Sequence, residues 1–236
     1  TAPFHLVNVY VRGDSLAEFW AMACYPWVIL AAERLLTAAE ENGFPYGRVV
    51  ALALAYAALI LSHNISALIF TPFLFLFIFL RWLSGRRPSG EPESVIFSGQ
   101  RLRLLLPILA AGLLGPALAA WFFIPALVEQ DFAQLGPVTE GYFSFANHFR
   151  GLDLVQTSAM FDFDVSGGNA FRMGLVQAAA ALLGSLALIH AAFRTRVVSK
   201  GPALFILLTL AFSTFMVTPL SNYLWENLPL LPFTQF

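Results

Sequence analysis

Long apolar stretches that contain very few charges are the feature that most restricts how this chain can fold. Its 236 residues are 58% hydrophobic and only 11% charged, with a mean hydropathy of +0.73, whereas a typical soluble domain carries about 25% charged residues. Thirteen Lys and Arg with fourteen Asp and Glu cannot cover the surface of a water-soluble globule of this size. The composition therefore excludes a soluble enzyme and a disordered chain, and it indicates a polytopic membrane protein.

The remaining counts exclude further classes. The net charge is −1 and no dense basic face is present, which argues against nucleic-acid binding. Cys24 is the only cysteine, so neither a disulfide nor a thiolate metal site can form within the chain. The chain begins at Thr1, and its other end, Phe236, lies within a run of prolines and aromatic residues. We therefore expect it to be an excerpt of a longer protein.

Apolar segments with helical length divide the chain into predicted membrane crossings. The run 49–80 would form a helix of about 48 Å, too long for a hydrocarbon core of about 30 Å. Ser62-His63-Asn64 is its only polar cluster, and we predict a break there. The last segment, 219–236, is apolar but rich in proline, which is typical of a re-entrant or interfacial segment. The predicted spans are about 16–36, 49–63, 65–82, 104–128, 173–193 and 202–218.

The sequence thus predicts an all-α polytopic membrane protein with about six transmembrane helices in a single domain, 1–236. Ten of its thirteen Lys and Arg residues fall on one side of these helices, and an excess of Lys and Arg is typical of cytoplasmic loops. The loops 37–48, 83–103 and 194–201 are therefore predicted to be cytoplasmic. The longer polar loop 129–172 and both chain ends are predicted to be extracytoplasmic. One unbroken helix over the run 49–80 would destroy this bias, so the charges support the break.

Polar residues near the predicted outer face are candidates for a site. Arg12, Asp14 and Glu18 flank the start of the first span. They form either a rim that holds a phosphate or sugar, or a solvated helix start with acids at the positive end of the dipole. His63 and Asn64 lie inside an apolar run, where polar groups are costly unless paired. His63 is a candidate hydrogen-bond donor to a phosphate or carboxylate. Asn64 either belongs to the same site or only caps the next helix.

Two acidic features follow later in the chain. Glu129 ends the fourth span at the unfavourable end of its dipole, which calls for a partner such as His148 or Arg150; the alternative is a solvated terminus. Asp162 and Asp164 form an Asp-x-Asp pair of the kind that binds a divalent ion in many sugar-transferring enzymes, and such a pair can share Mg²⁺ or Mn²⁺. Their alternation with phenylalanines fits an amphipathic strand or a membrane-resting loop equally well.

Short motifs occur in a fixed order along the chain. They are Tyr10-Val11-Arg12-Gly13, Ala17-Glu18, Leu61-Ser62-His63-Asn64, Phe123-Ile124-Pro125-Ala126-Leu127-Val128-Glu129, Pro219-Leu220-Ser221, Leu224-Trp225-Glu226 and Gln235-Phe236. In this order and spacing the whole chain resembles large bacterial integral membrane proteins labelled as related to 6-pyruvoyl-tetrahydropterin synthase. These proteins resemble the C-type glycosyltransferase superfamily, polytopic enzymes that use polyprenyl-phosphate sugars at the outer membrane face.

This resemblance implies a hexosyltransferase-like enzyme in the bacterial inner (cell) membrane, with membrane lipid and a polyprenyl-phosphate-linked sugar donor as partners. It places the catalytic acid early in the protein, upstream of Thr1. It implies that an outer cavity is lined by cations that hold the donor phosphate and polar groups that orient the sugar. Asp14 departs from the small apolar residue expected at its position. The residues carried over to this cavity are Arg12, Glu18, His63, Asn64 and Glu129.

Two other functions remain open from the sequence. A transporter or flippase for a lipid or glycan predicts an inverted or parallel repeat and a polar site near the membrane midplane, and the sequence shows neither clearly. A structural membrane subunit predicts that the polar residues serve only as helix caps and packing contacts.

Overall fold

A computed structural model describes residues 16–41, 44–84, 102–129, 132, 141, 144–151, 154–156, 173–228 and 231. This part of the chain is helical and contains no strand; one isolated bridge pairs Val155 with Met173. The predicted all-α class is therefore confirmed. The α-helices in chain order are α1 (Leu16–Ala39), α2 (Tyr46–Ser62), α3 (Asn64–Ser84), α4 (Leu105–Val128), α5 (Leu175–Ile189), α6 (Lys200–Met216) and α7 (Asn222–Asn227).

Most of these helices are suited to a bilayer. Among the described residues, four helices are long and apolar enough to cross one: α1, α3, α4, and α5 with its extension to Arg194. Helices α6 and α7, bent by 90° at the intervening break, form either a broken fifth span or a re-entrant loop. Helix α2 is apolar but has only 17 residues. The helices are compatible with a multi-pass membrane protein, and the number of six crossings stays a prediction.

Prolines lie inside several of these helices. Pro26 lies in α1, Pro72 in α3, and both Pro116 and Pro125 in α4. A proline inside a helix removes one backbone hydrogen bond and costs about 3 kcal/mol in water. Transmembrane helices tolerate prolines because neighbouring helices and local adjustments satisfy the freed backbone groups, whereas open loops in lipid are not viable. The helices therefore continue through these positions.

Helices α2 and α3 form a hairpin. The Tyr56 hydroxyl lies 2.5 Å from Thr71 Oγ1, although the two residues would be about 22 Å apart along one continuous helix. His63 is the only residue between the two helices. The run 49–80 is thus broken where its single polar cluster lies.

Small residues allow α2 and α4 to approach each other closely. Ala111, Gly115 and Ala119 recur at every fourth position of α4 and are buried. A Cβ atom at Gly115 would lie 2.9 Å from Tyr56 Cδ1 and 3.3 Å from the carbonyl oxygen of Ala53. Small residues at this spacing are a common basis of helix association in lipid. The glycine is needed here because a side chain would have to displace α2.

Helix α1 runs parallel to α3 and contacts it. The Tyr25 ring stacks on the Phe70 ring, with centroids 4.5 Å apart and planes 8° apart. Farther along both helices, Glu33 pairs with Arg81 at 2.9 Å. Because both contacts advance in the same direction, α1 and α3 point the same way and α2 points the opposite way.

The chain divides into two compact units, Trp20–Ala133 and a second unit made of 1–19 with 134–236. The first unit contains α2, α3, α4 and α1 from Trp20 onward. The second contains α5, α6 and α7.

In the second unit, side chains stabilise the bend after α6. Trp225 Nε1 donates to the Met216 carbonyl at 3.0 Å and to Ser221 Oγ at 3.1 Å. Ser221 is completely buried. Its hydroxyl is within donating distance of two carbonyl oxygens, that of Met216 at 2.9 Å and that of Thr218 at 2.8 Å. The Phe145 ring stacks on Trp225 at 5.6 Å. These bonds satisfy carbonyls at the helix end that have no helical partner.

Candidate functional site

The candidate site is built on the break at His63. This residue is extended, with φ −161° and ψ 105°. Its N–H donates to the Leu59 carbonyl at 3.1 Å, and its own carbonyl accepts the Ala67 N–H at 3.0 Å. One residue thus terminates α2 and begins α3, so both helices determine where its side chain lies.

The His63 ring caps α3. The Ser66 N–H donates to His63 Nδ1 at 3.2 Å, and the Ser66 hydroxyl lies 2.8 Å from the same nitrogen. The third N–H of a helix is a usual partner of a capping side chain. Asn64, the cap expected from the sequence, is instead the first residue of α3, where its Oδ1 accepts the Ile65 N–H at 2.9 Å. The capping function is therefore divided between two adjacent residues.

The capping bond determines the tautomer of His63. Because Nδ1 accepts a backbone N–H, the neutral ring carries its proton on Nε2. Within the described ranges, no residue forms a hydrogen bond with Nε2. The side chain is only partly buried, so its Nε2–H is an available hydrogen-bond donor at the end of two apolar helices.

Small polar side chains surround the break. Ser62 Oγ lies 4.0 Å from Cys24 Sγ, a contact that places α1 beside the hairpin turn. Ser66 is buried, with 8% of its surface exposed. Small polar side chains therefore lie next to His63, and the apolar helices α2 and α3 lie on either side of them. Such an environment of low dielectric constant strengthens hydrogen bonds to a charged ligand.

Glu129 caps the C-terminus of α4 in the same unit. Its N–H donates to the Pro125 carbonyl at 2.9 Å, and its side chain is exposed. Its carboxylate makes no hydrogen bond or ion pair to the described residues of the chain. The partner expected for it from the sequence, His148 or Arg150, belongs to the second unit.

The other predicted site residues lie either in the second unit or outside the described residues. Glu18 lies in the first turn of α1, where an acid is favourable to the helix dipole, and belongs to the second unit. Arg12 and Asp14 lie outside the described residues, as do Asp162 and Asp164. Within the described ranges, no group of three or more His, Cys, Asp or Glu side chains could hold a metal ion. The predicted Mg²⁺ or Mn²⁺ pair thus stays a prediction.

An ion cluster between α1 and α3 was not predicted from the sequence. Arg81 Nε donates to both Glu33 carboxylate oxygens at 2.9 and 3.0 Å, and Nη1 donates to Glu40 Oε1 at 2.9 Å. Only 14% of the Arg81 side chain and 13% of the Glu40 side chain are exposed. Thr37 donates to Glu33 at 3.3 Å. Glu40 directly follows the last residue of α1, and its seven-residue spacing from Glu33, about two helical turns, was the available signal.

The fold and the site define a helical protein compatible with a multi-pass membrane location. Comparison of the chain with protein-family models, with curated proteins and with solved structures finds no match. Its function is therefore proposed from its own residues and from the family resemblance of its sequence.

Proposed function

We propose that the chain is a membrane glycosyltransferase module, which transfers a sugar from a lipid-phosphate carrier to an extracytoplasmic acceptor. The observation that supports this most directly is the His63 ring, whose Nδ1 is held by Ser66 and whose Nε2–H is available. A preorganised N–H donor in apolar surroundings stabilises the charge of a departing phosphate far better than it would in water. The reaction class itself comes from the family resemblance.

Glu129 is proposed to act at the same membrane face as His63. Helices α2 and α4 meet at Tyr56 and Gly115. His63 lies seven residues beyond Tyr56, about 11 Å along α2, and Glu129 lies fourteen residues beyond Gly115, about 21 Å along α4. If the two helices cross in the same direction, as the predicted topology requires, the two groups are about 10 Å apart along the axis. That spacing leaves room for a sugar phosphate between them.

The proposed reaction has a simple balance. The acceptor hydroxyl oxygen forms a bond to the anomeric carbon of the sugar, and the bond from that carbon to the carrier phosphate oxygen breaks. The hydroxyl proton passes to the carboxylate that the resemblance places upstream of Thr1. The carrier leaves as its phosphate, whose negative charge the His63 Nε2–H stabilises, while Asn64 and Glu129 orient the sugar. Roles for Arg12 and Glu18 stay predictions from the resemblance.

Two substitutions of His63 separate this role from capping. His63→Asn keeps a side-chain acceptor for the Ser66 N–H but removes the imidazole donor, because asparagine is itself a good N-cap. His63→Ala removes both. With the full-length protein and a radiolabelled polyprenyl-phosphate sugar, we expect both variants to lose about 100-fold or more in kcat/KM. Thermal unfolding in detergent should show His63→Asn close to the parent protein and His63→Ala less stable.

Two other results would favour a different role for His63 or a different function for the protein. Full transfer by His63→Asn, with a loss only in His63→Ala, would assign His63 to capping alone and reject the site. Movement of a lipid or glycan across reconstituted vesicles without a covalent product would favour the transporter.

A further inference from the structure

A cluster of cations that have no acidic partner among the described residues lies where α5 passes into α6. Arg194, Arg196 and Lys200 are exposed, and the chain contains no Asp or Glu from 165 to 225. The ion pairs of Arg81 with Glu33 and Glu40 lie in the other unit. The positive charge of this connection is therefore not neutralised by the residues around it in sequence.

The backbone brings these cations together. Helix α5 continues as a π-helical turn, His190–Arg194, and the chain then reverses at Arg196, which has a positive φ of 57°. The Val197 N–H donates back to the Ala191 carbonyl at 2.9 Å. Lys200 Nζ lies 5.9 Å from the centre of the Phe193 ring. The amine of Lys200 is thus returned to the end of α5, beside the residue that precedes Arg194.

Apolar side chains are exposed among the cations. Val197 is 81% exposed and Phe193 is 43% exposed. A surface that mixes Lys or Arg with exposed apolar groups is typical of contact with the boundary between headgroups and acyl chains. We call Phe193, Arg194, Arg196, Val197 and Lys200 the α5–α6 patch.

The start of α6 adds to the positive potential. Lys200 occupies its first turn, which contains no acid, and the N-cap Ser199 forms no side-chain capping bond. A cation is unfavourable at the positive end of a helix dipole. The described residues at the start of α6 therefore supply no negative charge to offset Lys200.

We propose that the α5–α6 patch binds the headgroup of an anionic phospholipid of the membrane that α5 and α6 are predicted to cross. The three cations contact the lipid phosphate, while Val197 and Phe193 lie against its acyl chains. Anionic lipid matches both halves of the patch, because a phosphate alone would leave the apolar side chains exposed. The inference does not depend on the proposed glycosyltransferase function.

Lipid affinity of the full chain in neutral detergent tests the proposal. Binding of dioleoyl phosphatidylglycerol and dioleoyl phosphatidylcholine is measured by native mass spectrometry. The test variant combines Arg194→Gln, Arg196→Gln and Lys200→Gln. The matched control combines Arg34→Gln, Arg48→Gln and Arg103→Gln, which remove the same charge from exposed residues outside the patch.

We expect the test variant to bind phosphatidylglycerol about 100-fold more weakly, at about fivefold per cation. The control should lose less than about fivefold, and phosphatidylcholine binding should not change. In the unaltered protein, phosphatidylglycerol affinity should fall as salt rises, because exposed charges are screened. This measurement tests the proposal even if the triple variant does not fold.

Three results would overturn the proposal. An equal loss in the control would indicate a general effect of net charge. Equal affinity for the two lipids would remove the role of headgroup charge. Displacement of phosphatidylglycerol by millimolar inorganic phosphate would indicate a site for free anions.

Discussion

His63 illustrates what a single residue reveals before and after the fold is known. A polar side chain inside an apolar run is conspicuous in the sequence, because bilayers disfavour unpaired polar groups. Its nitrogens cannot be distinguished at that stage, since the Ser66 N–H that determines the tautomer becomes its partner only when α3 forms. The break in the apolar run was thus predictable, whereas the ring nitrogen of His63 that accepts the Ser66 N–H was not.

Arg196 is held in a conformation that suits glycine. Its φ is 57°, and a residue with a Cβ there costs about 1 kcal/mol relative to glycine. The Val197 N–H bond to Ala191 requires this turn of the chain. We therefore expect Arg196→Gly to stabilise the protein by about 1 kcal/mol in neutral detergent, measured by thermal or denaturant unfolding.

Arg196→Ala is the matched control for this measurement. It removes the same guanidinium but keeps a Cβ, so it should give no such gain. Equal stability of the glycine and alanine variants would show that the backbone at this position is not strained.

At the scale of elements, the ion cluster joins α1 to α3. The Arg81 guanidinium is shared by Glu33 and Glu40, and a carboxylate left half-buried without its partner is strongly destabilising. We expect Arg81→Met to lower the free energy of unfolding by about 2 kcal/mol. Arg81→Lys should lose part of this, because a single ammonium cannot form the same fork of bonds.

Two further variants make this measurement decisive. Arg34→Met changes an exposed arginine on α1 and should have little effect. The combination of Arg81→Met with Glu33→Gln and Glu40→Gln removes all three charges and should recover most of the loss. If Arg81→Met alone unfolds like the parent protein, the cluster does not stabilise the pairing of α1 with α3.

The helices were more predictable than the contacts between them. Apolar length alone placed α4 within one residue of its position, 105–128 against a predicted 104–128. The pairing of Arg81 with Glu33 joins residues 48 positions apart, and no local pattern reports such a contact. From the sequence alone, Ala111 and Gly115 are recognisable only as small apolar residues of a helix. Their role in packing could not be predicted, because the close approach of α2 to α4 depends on how both helices pack.

For the whole molecule, the sidedness of the hairpin is the prediction that matters most. We expect Gly47→Cys and Ser84→Cys to react from one side of the membrane and Asn64→Cys from the other, because α2 and α3 fold back at His63. All three positions are exposed. Each is introduced into a Cys24→Ser background and treated with a membrane-impermeant maleimide on intact and opened cells.

The same labelling distinguishes the alternatives. Reaction of Gly47→Cys and Ser84→Cys from opposite sides would show that the segment crosses the membrane only once. Reaction of both from outside would preserve the hairpin but reverse the predicted orientation. The distribution of Lys and Arg predicts that both positions are cytoplasmic.

Whole-molecule organisation was only partly accessible from the sequence. The all-helical class followed from composition, since scarce charge and long apolar runs leave few other folds. The sequence gives no sign of the two compact units into which the chain divides, and the single domain expected over 1–236 stays a prediction. Apolar periodicity identifies which segments are helices, whereas grouping them requires knowledge of which faces meet.

The lengths of α2 and α6 have a consequence for the kind of bilayer that suits this chain. Each has 17 residues, or about 26 Å, whereas α1 and α4 have 24 residues, or about 36 Å. Helix α2 is limited by His63, and α6 by the hydrogen-bonded bend at Ser221, so neither can lengthen without losing those bonds. In a bilayer, the short pair would favour a thin hydrocarbon layer, and the long pair would accommodate it by tilting. Hydrophobic thickness would then be set by the shortest crossings.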